Sequence, residues 1–353
     1  MKSVNRFVLL DGLRGLAAII VLIFHLVQQH TLNALPYTIL AVDFFYALSG
    51  FVVAYAYERK ILSGQMQTGE FIVVRIRRLY PLVFLSTSIG IFMALLAVIF
   101  KNNITMLQLL KVSALGLLVL PSFVFPQWQT AYPLNMASWS LTFEAFVNLV
   151  YVSIVRKLTN TVLILVLVLS WLALFFLVAY AGGITGGFNQ KGWSLGFIRV
   201  MFPFFAGVAM YRFRPESKEN AVAGIILILA FLLILLANWS NYKVCSLIYV
   251  SIVFPAIVYI GSGITISSGI EVFLRQIGLI SYPVYIMQGP ILRIGEEIMR
   301  HISSNAMGWL FSIFEFCVVV LVSWIALKFF DEPVQRIFRG QKRLPAGDFI
   351  RSS

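Results

Sequence analysis

Runs of about twenty apolar residues recur from one end of this chain to the other, and that recurrence limits its architecture more than any other feature. Wound as an α-helix, such a run crosses a hydrocarbon core about 30 Å thick and satisfies its own backbone polar groups. The 353 residues are 60% hydrophobic and 12% charged, with a mean hydropathy of +0.91. The expected fold class is therefore all-α, a polytopic transmembrane helical bundle. A barrel would need short alternating strands instead. The predicted spans are 14–31, 37–57, 79–100, 138–155, 161–181, 193–211, 220–238, 244–262, 279–299 and 306–328, about ten in all. The stretch 104–121 is also apolar and competes as a further one.

Charge decides between the two counts. The net charge of +13 raises nucleic acid as a partner, but the basic residues gather between apolar runs. That is the positive-inside pattern, so a bilayer is expected and nucleic acid is not. With the amino terminus inside, ten spans place Arg59, Lys60, Arg75, Arg77, Arg78, Arg156, Lys157, Arg212, Arg214 and the basic tail on the inner side. A full span at 104–121 would invert every later cluster. The segment 104–137 is thus expected to be an external excursion, re-entrant or interfacial, with Trp128 and Tyr132 near the headgroups. Residues 1–335 read as one membrane domain and 336–353 as a basic cytoplasmic tail. The first apolar segment has no A-x-A-like site, so no cleaved signal peptide is expected. Cys245 and Cys317 lie in apolar runs without metal-ligand spacing, and no metal is expected.

The first span carries Asp11-Gly-Leu-Arg14 and then His25. Eleven residues bring Arg14 and His25 to within about 20° on one helix face, about 16 Å apart along the axis. If Arg14 sits at the inner boundary, His25 lies near mid-membrane. An ionisable group there reads as a functional site facing the bundle interior, or else as a packing histidine bonded to a neighbouring helix. Asp43 in the second span, about 9 Å below the outer edge, needs a partner. Beside it, Ser49 and Gly50 read as small packing residues. Arg75 and Arg78, three apart, are neighbours on one helix face; they form an anion clamp or, equally, an orientation anchor.

Ser140 and Glu144 open the fourth span, where Glu144 lies at a depth similar to that of His25, as a base and its orienting carboxylate require. In the ninth span, Pro283 and Pro290 predict kinks and freed carbonyls. Tyr282, Tyr285 and Gln288 can line one face of it. Arg199 lies within the sixth span and must snorkel, pair or contact a ligand.

Taken in order, Leu10-Asp-Gly-Leu-Arg-Gly-Leu-Ala-Ala with His25, Val42-Asp-Phe-Phe with Leu48-Ser-Gly-Phe51, Arg75 with Arg78, Trp139-Ser-Leu-Thr-Phe-Glu144, Ile280-Ser-Tyr282 and Glu332-Pro333 form a series. In these motifs the chain resembles the acyltransferase-3 family, membrane proteins that O-acetylate bacterial cell-surface saccharides. The resemblance runs from Leu10 to about Arg336. It implies acyl transfer from cytoplasmic acyl-CoA, most often acetyl-CoA, to a hydroxyl of a lipid-linked or exported glycan. It also implies a bacterial inner membrane with both termini cytoplasmic.

On this resemblance Arg75 and Arg78, with Arg14, would bind the CoA phosphates. His25 would be the base or a transient acyl carrier, and Glu144 or Asp43 would orient it. Asp11 would fix Arg14, while Ser140, Tyr282 and Gln288 would hold substrate or orient a partner. One departure stands out: many members end the Ile-Ser-Tyr signature with histidine where this chain has Gln288, which cannot be a base. The alternative function is a proton-coupled transporter or glycan flippase, since paired intramembrane charges serve transport as well.

Overall fold

The structure is a computed structural model; it describes residues 7–31, 34–101, 104–125, 129–238, 241–266, 269–302 and 304–340. In chain order the helices are α1 (Val8–Gln28), α2 (Pro36–Leu62), α3 (Thr68–Phe100), α4 (Met106–Leu117), α5 (Ser138–Lys157), α6 (Asn160–Ala181), α7 (Leu195–Arg212), α8 (Ala221–Leu236), α9 (Tyr242–Ser262), α10 (Gly269–Met299) and α11 (Asn305–Phe338). Among the described residues 9 of them are long and apolar enough to cross a membrane. The two shorter ones are α4 and α8. Each predicted span finds its helix, although α8, at 16 residues, is only about 24 Å long.

The segment after α3 behaves as its charge pattern requires. α4 has 12 residues, held at its start by Thr105 and Gln108 in a reciprocal capping box. At about 18 Å it is too short to cross. Ile104, Leu109 and Val112 instead bury against Ile91, Leu95 and Val98 near the end of α3. Trp128 lies outside the described residues. Tyr132 is not an interface residue: it is 4% exposed. Its hydroxyl donates to Thr142 Oγ1 at 2.8 Å and accepts from Trp193 Nε1 at 3.0 Å. Burial raises the pKa of that hydroxyl above the ordinary phenol value.

Two helix pairs form the frame, α1 with α10 and α2 with α7. Both depend on missing side chains. A Cβ at Gly15 would strike the Ile277 carbonyl of α10; at Gly50 it would strike the Phe204 carbonyl of α7, and at Gly207 the Ala47 carbonyl of α2. Backbones this close exchange dispersion contacts that larger residues would forbid. Against lipid, by contrast, α3, α6 and α11 present apolar side chains such as Phe92, Phe176 and Phe314.

The prolines do not break their helices. α10 runs on through Pro283 and Pro290, and two of the carbonyls released by prolines are met by side chains. Pro290 has no N–H for the Ile286 carbonyl, and Asn135 Nδ2 supplies one at 3.0 Å. Pro81 similarly releases Arg77 in α3, whose carbonyl accepts from Gln335 Nε2 at 2.8 Å. That bond also ties the end of α11, which continues helically past residue 335, onto α3. The remainder of the basic tail lies outside the described residues. Wide π turns at Ala54–Glu58, Tyr249–Val253 and Ala326–Asp331 interrupt α2, α9 and α11.

Candidate functional site

Where α2 meets α7, Asp43 and Arg199 form a forked ion pair. Arg199 Nε donates to Asp43 Oδ1 at 2.9 Å and Nη2 to Oδ2 at 2.6 Å. Both side chains are fully buried. The guanidinium also donates to the Ile39 and Gly186 carbonyls and lies over the Trp139 ring at 5.1 Å. Asp43 has thus found the partner its depth demands, and it is Arg199 rather than His25. With both oxygens committed to a cation, it is not placed to orient an imidazole.

One stripe of α5 carries Ser140, Glu144, Asn148 and Tyr151, spaced at whole helical turns. Ser140 Oγ lies 2.9 Å from the Tyr285 hydroxyl of α10, and the Ser140 carbonyl accepts from Tyr46. Glu144 Oε1 accepts from Arg75 Nη2 at 2.5 Å and from Ser49 Oγ at 2.7 Å. Ser49, expected to be a packing residue, is therefore part of the polar site. Gly50 keeps its packing role. At the far end of the stripe Tyr151 donates to Glu58 Oε2 at 2.8 Å, and Arg212 Nε donates to Glu58 Oε1 at 3.0 Å. Sequence reasoning missed this second cluster; Glu58 stood in a charged loop in the sequence, and only the π turn carries it inward.

Arg75 and Arg78 do not share one environment. Arg75 is 8% exposed, and among the described residues its buried Nε has no hydrogen-bond partner. Arg78 is exposed. Both lie within electrostatic reach of Tyr282, whose hydroxyl donates to the Leu79 carbonyl at 2.7 Å. Its neighbour Ser281 turns to the opposite side, where Arg14 Nε donates to Ser281 Oγ at 2.9 Å and Nη2 to the Gly278 carbonyl at 3.0 Å. Asp11 pairs with Arg14 at 3.2 Å. The Ile280-Ser-Tyr282 signature thus fastens α1 through its serine and α3 through its tyrosine. Gln288 is 2% exposed and donates to the Tyr285 carbonyl at 3.1 Å; among the described residues its Oε1 has no partner.

His25 stands on the same face of α1 as Arg14 and is half-buried. Among the described residues no hydrogen bond or ion pair engages its ring, which lies tilted against Phe24 at 5.1 Å. The expected carboxylate–histidine couple is not formed. Glu144 is drawn instead to the stronger attraction of a guanidinium. The bundle thus holds a half-satisfied arginine at Arg75, a His25 ring with no hydrogen bond among the described residues, and a hydroxyl pair at Ser140 and Tyr285.

Comparison with known proteins gives a family. A protein of Rhizobium radiobacter described as protein 2 in the picA locus is 36% identical over 186 residues, 50% of this chain and 96% of that protein. No solved structure matches the chain. The family model described as an acyltransferase domain matches residues 7–328. It takes in Arg14, His25, Arg75, Arg78, Glu144 and the serine–tyrosine signature of α10. This helical membrane bundle belongs to the acyltransferase-3 family.

Proposed function

We propose that this membrane acyltransferase moves an acyl group, acetyl in the simplest case, from cytoplasmic acyl-CoA to a hydroxyl of a lipid-linked or exported saccharide. The observation that carries the donor is Arg75: one side of its guanidinium is fixed by Glu144, while Nε is left bare. One turn away Arg78 is exposed. A bare buried donor beside an exposed guanidinium suits the phosphate oxygens of CoA. On this reading the Arg75 end is the inner mouth, both termini are cytoplasmic, and the membrane is a bacterial inner membrane. Arg14 contributes charge at the mouth while its bonds to α10 hold α1 in place.

The chemistry falls to His25. The saccharide hydroxyl oxygen attacks the thioester carbonyl carbon as its proton passes to the open imidazole nitrogen; the C–O bond forms and the C–S bond breaks. The CoA thiolate leaves towards the inner mouth and takes its proton from water there. Ser140 and Tyr285 lie in the buried centre as donors for the oxygen of the tetrahedral intermediate.

The test is acyl-CoA binding and turnover by purified protein, wild type beside His25→Ala and Arg75→Ala. Binding lost in the arginine variant, with turnover lost but binding kept in the histidine variant, supports this division. Acyl-CoA neither bound nor consumed by folded wild-type protein rejects it in favour of transport.

A further inference from the structure

The face of α1 that carries His25 continues one turn further to Gln29, and there the structure holds a polar pair that the reaction above does not use. Gln29 Nε2 donates to Glu315 Oε2 of α11 at 3.3 Å. Glu315 is 3% exposed. Among the described residues its second oxygen, Oε1, is buried without a hydrogen-bond partner, and the same is true of Gln29 Oε1. Among the described residues no cation pairs with Glu315. The bare oxygen faces the α10 backbone at Gly295, where a Cβ would overlap it.

Two acceptors without donors, on groups already joined by one hydrogen bond, are satisfied together by a single proton. Placed on Glu315 Oε1, it is donated to Gln29 Oε1 while Gln29 Nε2 continues to donate to Oε2. The result is an acid–amide pair with two parallel hydrogen bonds. A carboxylate with no cation inside a bundle is the costly alternative, and intramembrane Glu and His side chains mark proton paths.

We propose that Glu315 is a proton-binding site of the bundle, which takes a proton on Oε1 and closes as a neutral acid onto the Gln29 amide. Resting on the reading of His25 as the base, the pair is a stop on the route of the collected proton: the imidazolium N–H breaks, the Glu315 O–H forms, and His25 is neutral. The Glu315 O–H then breaks as the proton passes to water outside the bundle, which restores the carboxylate for the next turnover. Glu296 of α10 is within electrostatic reach of Glu315. His30 of α1, 2.8 Å from Ser312 Oγ and stacked on Trp309, is the next titratable group out.

Infrared difference spectra between acidic and alkaline buffer, in H2O and D2O, test the site on the full chain in nanodiscs. Wild type should show a deuterium-sensitive carbonyl band of a protonated carboxylic acid. The band should be absent from Glu315→Gln, which keeps size and shape, and displaced in Gln29→Leu. A wild-type spectrum with no band removed by Glu315→Gln overturns the proposal whatever the enzyme's activity. In acyl transfer, Glu315→Gln should lower turnover about 100-fold, leave the KM for acyl-CoA unchanged and be rescued by added imidazole. Undiminished turnover, with the band present in wild type, removes Glu315 from the proton route and leaves the binding site standing. Wild-type protein that shows the band yet transfers no acyl group counts against the reading of the reaction, not against the site.

Discussion

Asp43 and Arg199 meet through two parallel hydrogen bonds, and neither side chain reaches solvent. Breaking such a pair from one side leaves an uncompensated buried charge and costs about 3–5 kcal/mol. Asp43→Ala should therefore lower the melting temperature in detergent sharply, and Arg199→Lys should also destabilise because a point charge cannot reproduce the fork. Replacing both residues with apolar ones should recover part of the loss. A melting temperature for Asp43→Ala equal to that of wild type would show that the pair contributes no stability.

Arg75 is the residue through which binding should be most sensitive. Charge-assisted hydrogen bonds are worth about 1.5–3 kcal/mol, so Arg75→Ala should weaken acyl-CoA binding by about 10- to 100-fold. Glu144→Gln keeps the shape but loses the attraction that fixes Arg75, and should have a smaller effect of the same sign. Titration calorimetry on the purified variants separates the two, and unchanged affinity in Arg75→Ala would remove the arginine from the donor site.

His25 makes no hydrogen bond among the described residues, so its loss should be felt in chemistry rather than in stability. His25→Gln is expected to melt close to wild type while turnover falls by about 100- to 10,000-fold, the range of a lost general base. Melting and turnover measured on one preparation decide it. A large drop in melting temperature would make His25 a packing residue after all.

Asn135 and Pro290 should be coupled through the Ile286 carbonyl. Asn135→Ala strands the Ile286 carbonyl that Pro290 leaves open, a cost of about 1–3 kcal/mol. In a Pro290→Ala background the restored N–H can serve that carbonyl, so Asn135→Ala should cost less. A thermal double-mutant cycle with no coupling would mean that the carbonyl is satisfied in another way.

Length and apolarity made the bundle legible, because spanning helices depend on quantities a single sequence carries: run length, charge placement and proline position. Depth in the bilayer also implies that Asp43 needs a partner. It does not tell which, because Arg199 lies 156 residues away, and depth alone leaves every helix at that level eligible. Common depth likewise pairs Glu144 with His25, but depth is one coordinate of three, and the structure pairs Glu144 with Arg75. Size alone makes Ser49 a packing residue, whereas its hydroxyl donates to Glu144. Glu58 was hidden because a π turn shifts the face on which later residues lie. The signal for Glu315 was present, an acid in the middle of an apolar run, but it had no motif around it.

Arg14 reaches Ser281 across 267 residues of chain, and this separation bears on how the protein is made. At about 5–20 residues per second, the ribosome needs on the order of tens of seconds between releasing α1 and completing α10. α1 thus enters the bilayer long before the neighbour that holds it. Through that interval its guanidinium has neither the serine nor the Gly278 carbonyl. Asp11, carried on the same turn, is the companion that travels with it, so that an orphan newborn helix crosses the insertion machinery as a near-neutral pair.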